Sequence, residues 1–114
     1  MRVYLAGPIS KGDVVENIDN GIRWGVRLIK DGLTPYIPFV NGKLRQYDPF
    51  VDWHAGILAY EMQWLDMCEA LFRLDGQSAG ADEEVAYAED MGIPVFYQED
   101  YDNLIAYART YDHA

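Results

Sequence analysis

The feature that most constrains this 114-residue chain is a rhythm: four short β-rich runs, each followed by a turn, alternate with stretches of helical period. Residues 2–6 (Arg-Val-Tyr-Leu-Ala) are the first run, ended by Gly7-Pro8. Asp13 is placed to N-cap the next segment, where Val14, Ile18, Ile22, Val26 and Ile29 recur at helical spacing until Gly32, with Trp24 and Leu28 widening the same side. Residues 33–38 read as a second strand, interrupted by prolines that limit its pairing. Residues 56–68 return to helical period through Ile57, Tyr60 and Trp64, and residues 70–74 are a third strand broken by Asp75-Gly76. A helix over 81–91 with Gly92 at its stop, a strand over 93–97 and a closing helix over 100–109 complete the order.

Such alternation predicts one α/β domain over residues 1–114, a flavodoxin-like or Rossmann-like three-layer fold. Its four-stranded parallel sheet is expected in the order 2-1-3-4, with helices on both faces and right-handed crossovers. Ligands in such folds bind at the carboxyl ends of the strands, here near the switch between strands one and three. Three segments converge there: residues 7–12, the end of the long stretch 39–54, and residues 75–84. The stretch 39–54 is the least periodic part of the chain and reads as a structureless aromatic loop of the kind that closes over a site.

Composition removes several functions. Nine Lys+Arg against 19 Asp+Glu give a net charge of -10, which disfavours DNA or RNA polymers, since their binding rests on cationic contacts to phosphate. It leaves room for a single nucleotide held by backbone amides. No apolar run approaches the roughly twenty residues of a membrane span, and the N-terminus enters a strand directly, without a signal-peptide core. The one cysteine, Cys68, lies in an apolar context and reads as a reduced core thiol, which with the rest points to the cytoplasm. Cys and His spacing suggests no zinc site, and no Walker loop is present.

Two glycine-bearing turns are suited to anions. The first, residues 4–12, joins a strand to a helix start and offers free amides, among them those of Gly7, Ile9 and Ser10. The second, residues 75–84, does the same with Ser78 and Gly80. Glu83 and Glu84 follow it and project about 100° apart on a helix, so only one of them faces the cleft. Glu61 stands near the start of its helix on the same side, and two acids around one pocket divide nucleophile and acid/base roles. His54, beside Trp53, is a candidate general acid.

These residues carry a resemblance. The Tyr-x-x-Gly start, the Trp-Leu helix with an acid before the third strand, and Ser-x-Gly-x-x-x-Glu together resemble the nucleoside 2-deoxyribosyltransferase superfamily over residues 2–97. They look nearest to its 2'-deoxynucleoside 5'-monophosphate N-glycosidase branch and that branch's uncharacterised bacterial and phage relatives. The resemblance implies that Glu84 is the nucleophile at the anomeric carbon, that Tyr4 positions it, and that Ser78 and Gly80 hold a 5'-phosphate with Gly7, Ile9 and Ser10. Two positions depart from the pattern. Glu61 stands where the family has an aspartate, and Ser10, with Lys11 alongside, stands where the mammalian-type hydrolases have an arginine.

The expected function is hydrolysis of the base–sugar bond of a (deoxy)nucleoside 5'-monophosphate. Tyr47, Phe50, Trp53 and His54 would close on the base, and neither metal nor organic cofactor would be needed. The alternatives are deoxyribosyl transfer by the same residues and a non-catalytic module that binds or sequesters a nucleotide. The partner is expected to be the small-molecule nucleotide or nucleoside, with no nucleic-acid polymer and no membrane, in a homodimer or higher homo-oligomer.

Overall fold

A computed structural model describes residues 1–47 and 53–112. Its four strands are β1 (Arg2–Ala6), β2 (Thr34–Tyr36), β3 (Ala70–Arg73) and β4 (Val95–Tyr97). All pair in parallel in the order β2-β1-β3-β4, as the sequence predicts. The helices are α1 (Val14–Lys30), α2 (Leu44–Tyr47), α3 (Trp53–Leu65), α4 (Ala79–Asp90) and α5 (Tyr101–Asp112).

Alternation along the strands separates two cores. Val3, Leu5 and Phe72 point to one face and pack with Leu28 of α1 and Leu104 of α5. Tyr4, Ala6 and Leu71 point to the other and pack with Leu65 of α3 and Ala81 and Ala88 of α4. Tyr4 lies beside Leu71 in the register of the two central strands, fully buried. Cys68 packs at the edge of this second core, where burial pushes its thiol up to about 11. Among the described residues no helix is long and apolar enough to cross a membrane.

Helix ends follow local chemistry. The Asp13 side chain accepts from the Glu16 amide at 3.1 Å, the expected N-cap. At the other end of α1, Gly32 adopts φ +91° and the Leu33 amide reaches back to the Leu28 carbonyl, 3.0 Å away. That six-residue closure is what a left-handed glycine makes possible.

Several boundaries and one surface differ from expectation. The stretch 39–54 is not structureless: Pro38–Lys43 forms a 3-10 helix opened by a proline at its first turn, and α2 follows. Trp53 and His54 open α3 and do not lie in a loop; Phe50 falls outside the described residues. Helix α4 begins at Ala79, two residues earlier than expected, because the Ser78 hydroxyl caps it by accepting from the Ala81 amide.

In α1 the core face is carried by Gly21, Gly25 and Leu28, whereas Val14, Ile22, Val26 and Ile29 stay exposed. The glycines let the chain after β2 lie against the helix. A Cβ on Gly21 would stand 2.3 Å from the Phe39 ring, and one on Gly25 would stand 2.5 Å from Ile37 Cδ1. Gly21→Ala and Gly25→Ala are each expected to cost about 1–3 kcal/mol by overpacking, measured by urea denaturation. Gly56→Ala in α3, where a Cβ meets nothing within 4 Å, is the control and should be neutral or stabilising. Equal effects at all three positions would contradict this packing.

Candidate active site

Strand alternation and helix register meet in one buried pair. Tyr4 lies on the face of β1 covered by α4, and Glu84, in the second turn of α4, points down at it. The Tyr4 hydroxyl donates to the Glu84 carboxylate. Glu84 is 6% exposed, while its neighbour Glu83 faces solvent. Burial holds the Tyr4 phenol protonated far above its ordinary range, reinforced by the charges of Glu84 and Glu61. The same burial pushes the Glu84 carboxyl up to about 8, and the charge of Glu61 adds to the rise. The Tyr4 hydrogen bond and the Arg73 guanidinium oppose it without cancelling it.

Glu61, from α3, is buried as well and accepts from Asn41 Nδ2 at 2.9 Å. The same Asn41 nitrogen lies 3.1 Å from the Tyr36 hydroxyl, to which it donates. Tyr36 in turn stacks between Tyr4 and Trp64, with ring centroids 5.4 Å apart on either side. Burial pushes the Tyr36 phenol up to about 12. A row of three aromatic rings thus runs from the buried acid pair to the half-exposed Trp64.

The two glycine turns interlock above this pair. A Cβ on Gly7 would stand 3.0 Å from Leu74 Cβ, and one on Gly76 would stand 2.7 Å from Pro8 Cγ. Gly76 also takes φ +114°, a conformation other residues rarely adopt. Side chains bind the carbonyls of both turns. Asn17 donates to the Ile9 and Lys11 carbonyls at 3.2 and 2.6 Å. Arg73, 8% exposed, donates to the Leu74 carbonyl, to the Gly76 carbonyl at 2.9 Å and to Asp82 at 3.1 Å. The amides of Ala79 and Gly80, in the first turn of α4, fall outside the helical ladder by geometry.

The expected residues therefore fall into groups. Tyr4, Glu84 and Glu61 come together. Gly7, Ile9 and Ser10 lie in one turn; Ser78 ends the turn that packs on it, already engaged as the N-cap of α4, and Gly80 lies in the first turn of that helix. Tyr47 ends α2 and is 88% exposed. Trp53 and His54 are placed only by their backbone, at the start of α3.

Three residues were not anticipated: Asn41, Tyr36 and Arg73. Arg73 had a signal, a lone cation ending an apolar strand beside Asp75-Gly76; Asn41 had none, being one polar residue in an aperiodic stretch. Among the described residues no group of three or more His, Cys, Asp or Glu is arranged to hold a metal ion. A shallow hollow lined by Asn20, Arg23, Trp24 and Arg27 lies on α1 and has no part in this cluster.

The raised carboxyl makes a prediction about stability. Between pH 4.5 and about 8 the folded chain holds the Glu84 proton and the unfolded chain does not. Folding is therefore weakened as pH rises through that window, by up to about 1.4 kcal/mol per pH unit for a single group. Glu84→Gln removes the burden, so its melting temperature should exceed that of the wild type at pH 8.5 and converge with it near pH 4. An identical shift at both values would show that Glu84 ionises in the fold at no cost.

No protein-family profile matches the chain, and no curated protein does. Among solved structures it is similar to a 2-deoxyribosyltransferase from the psychrotolerant bacterium Bacillus psychrosaccharolyticus, at 18% sequence identity and a TM-score of 0.69. The match covers 85% of this chain and 71% of that one. That protein is described as a biocatalyst for the synthesis of antiviral and antitumoral nucleosides. The fold of this chain, four parallel strands in the order 2-1-3-4 between two helical layers, is deoxyribosyltransferase-like.

Proposed function

We propose that the chain is an N-glycosidase of the nucleoside 2-deoxyribosyltransferase superfamily, hydrolysing a (deoxy)nucleoside 5'-monophosphate to free base and sugar phosphate. The observation that carries this reading is the buried Glu84 carboxyl held by the Tyr4 hydroxyl, with the charge of Glu61 close enough to perturb it. A buried, partnered acid at the carboxyl end of a parallel sheet is costly to keep and is the kind of group that does chemistry.

Glu84, once ionised, attacks C1' as the bond from C1' to the base nitrogen breaks through an oxocarbenium-like state. The electrons of that bond leave with the base, and Glu61, which this step requires to be protonated in the bound complex, gives the base a proton. Water then adds to C1' of the glycosyl ester, the Glu84 carboxylate departs, and Glu61 takes back a proton from the water. Tyr4 fixes the Glu84 rotamer for attack. Ser78, Gly80 and the amides of Gly7, Ile9 and Ser10 receive the 5'-phosphate. Arg73 and Asn17, by binding the carbonyls of those two turns, support the role. Trp64, half-exposed at the end of the ring row, offers a stacking surface for the base, with Tyr47, Phe50, Trp53 and His54 proposed to close over it. This chemistry calls for no metal or organic cofactor, and it suits a cytoplasmic enzyme of nucleotide metabolism.

A second reading, transfer of the deoxyribosyl group to another base, is favoured by the similarity to a 2-deoxyribosyltransferase. Products separate the two. Incubation with a panel of nucleosides and monophosphates, followed by chromatography, is expected to show free base without an acceptor, faster from monophosphates. Base released only when a second base is supplied would assign transfer, and equal turnover with and without the phosphate would remove the phosphate site. Glu84→Gln should lower kcat/KM at least about a thousandfold, the scale of losing a nucleophile, whereas Glu83→Gln should not. Tyr4→Phe should cost about ten- to a hundredfold, the worth of a hydrogen bond to a charged group. Because attack needs the ionised carboxylate, kcat/KM should climb with pH through a midpoint near 8 and level off above it. A flat profile from pH 6 to 9 would contradict that role.

A further inference from the structure

Glu61 stands where the family pattern has an aspartate, and its additional methylene gives the carboxyl one more rotatable bond. Asn41, twenty residues earlier in the chain, restrains it: the amide nitrogen Nδ2 lies 2.9 Å from Glu61 Oε2 and 3.1 Å from the Tyr36 hydroxyl. An amide nitrogen carries two hydrogens and accepts none, so one hydrogen serves each oxygen and both are used. Tyr36 is itself held on both faces of its ring, by Tyr4 and by Trp64. Asn41 therefore ties the carboxyl of α3 to a fixed aromatic row.

The backbone beneath Asn41 is braced as well. Asn41 belongs to the 3-10 helix Pro38–Lys43, and two positions before it Phe39, fully buried, lies on Gly21 of α1. A Cβ at Gly21 would stand 2.3 Å from that ring, and Ile37 sits almost as closely on Gly25, at 2.5 Å. Contacts so close pin the 3-10 turn to α1 and leave it little room to shift. A line of contacts thus runs from the glycines of α1 through Phe39 and Asn41 to Glu61. A helix of the first core sets the place of an acid beside the second.

The bridge also decides which oxygen of Glu61 can move a proton. Oε2 accepts from an N–H that cannot accept in return, so a proton on Glu61 resides on Oε1. We propose, resting on the N-glycosidase reading above, that Asn41 is a positioning residue that holds Glu61 by Oε2 so that Oε1 delivers the proton to the departing base. The bond from C1' to the base nitrogen breaks, its electron pair stays with the base, and the base takes up the Oε1 proton. Glu61 is left as a carboxylate that already has the Asn41 amide to accept from.

A double-mutant cycle on base release tests it. Asn41→Leu, close in shape but without the donor, should lower kcat about ten- to a hundredfold, the scale of a misplaced catalytic group, with KM within about threefold of wild type. Asn41→Asp, of the same shape and also lacking the donor, should behave alike and guards against a folding defect peculiar to the leucine. Asn41→Leu combined with Glu61→Gln should be no slower than Glu61→Gln alone, because Asn41 acts through Glu61; a merely structural role would multiply the two losses. The contact is also read without turnover. In protein labelled with nitrogen-15 in asparagine side chains, the Asn41 amide signal, identified by its absence in Asn41→Leu, should move in Glu61→Gln and stay in place in Glu83→Gln. Losses that multiply, an Asn41→Leu variant with the wild-type kcat, or an amide signal indifferent to Glu61→Gln would overturn the proposal. A wild type that releases no base from any nucleoside or monophosphate would instead overturn the reading on which the proposal rests, and the amide signal alone then decides whether Asn41 holds Glu61.

Discussion

A phenol buried beneath a sheet must have a hydrogen-bond partner, and Tyr4 has Glu84. That single bond constrains much of the second core. It fixes the height of α4 above β1, and therefore the positions of Ser78 and Gly80 one to two turns earlier. It also places a carboxyl where water is scarce and where Glu61 adds a second negative charge. The fold tolerates this arrangement because the sheet on one side and α3 and α4 on the other leave the acid nowhere else to go.

The turns above the acid pair show the same economy. Gly7 against Leu74 and Gly76 against Pro8 lock two loops that are far apart in sequence into one rim. Arg73 then joins that rim to the acid. Its guanidinium binds the carbonyls of the second turn and lowers the Glu84 carboxyl by its charge, so one buried cation shapes that turn and tempers the buried acid. A lysine there would keep the charge and lose the planar set of donors that spans Leu74, Gly76 and Asp82.

Much of this was legible in the sequence, and for identifiable reasons. Strand order, and the meeting of the two glycine turns beside the candidate site, followed from the β-α rhythm and from the glycines that end β1 and β3. Helix geometry alone left Glu84 and Glu83 as alternatives, and the resemblance chose Glu84; the Ser78 cap that starts α4 at Ala79 turns that residue inward. The apolar repeat of α1 misled, because periodicity marks an apolar face without saying what it meets; here glycines make the core contact and the branched residues face outward. Asn41, Tyr36 and Arg73 were hidden for a different reason. Their roles depend on contacts between segments twenty or more residues apart or on carbonyls of a turn, and neither leaves a period in the sequence.

The account rests on Glu84 being a strained acid, and its titration tests that directly. With side-chain carboxyl carbons of glutamate labelled, NMR resolves Glu84 by its loss in Glu84→Gln, and its chemical shift is followed from pH 4 to 9.5. The account predicts a midpoint near 8 that falls when Glu61 is changed to Gln and its charge is gone. A midpoint near 4.5, unmoved by that change, would contradict it: Glu84 would then be an ordinary solvated carboxylate.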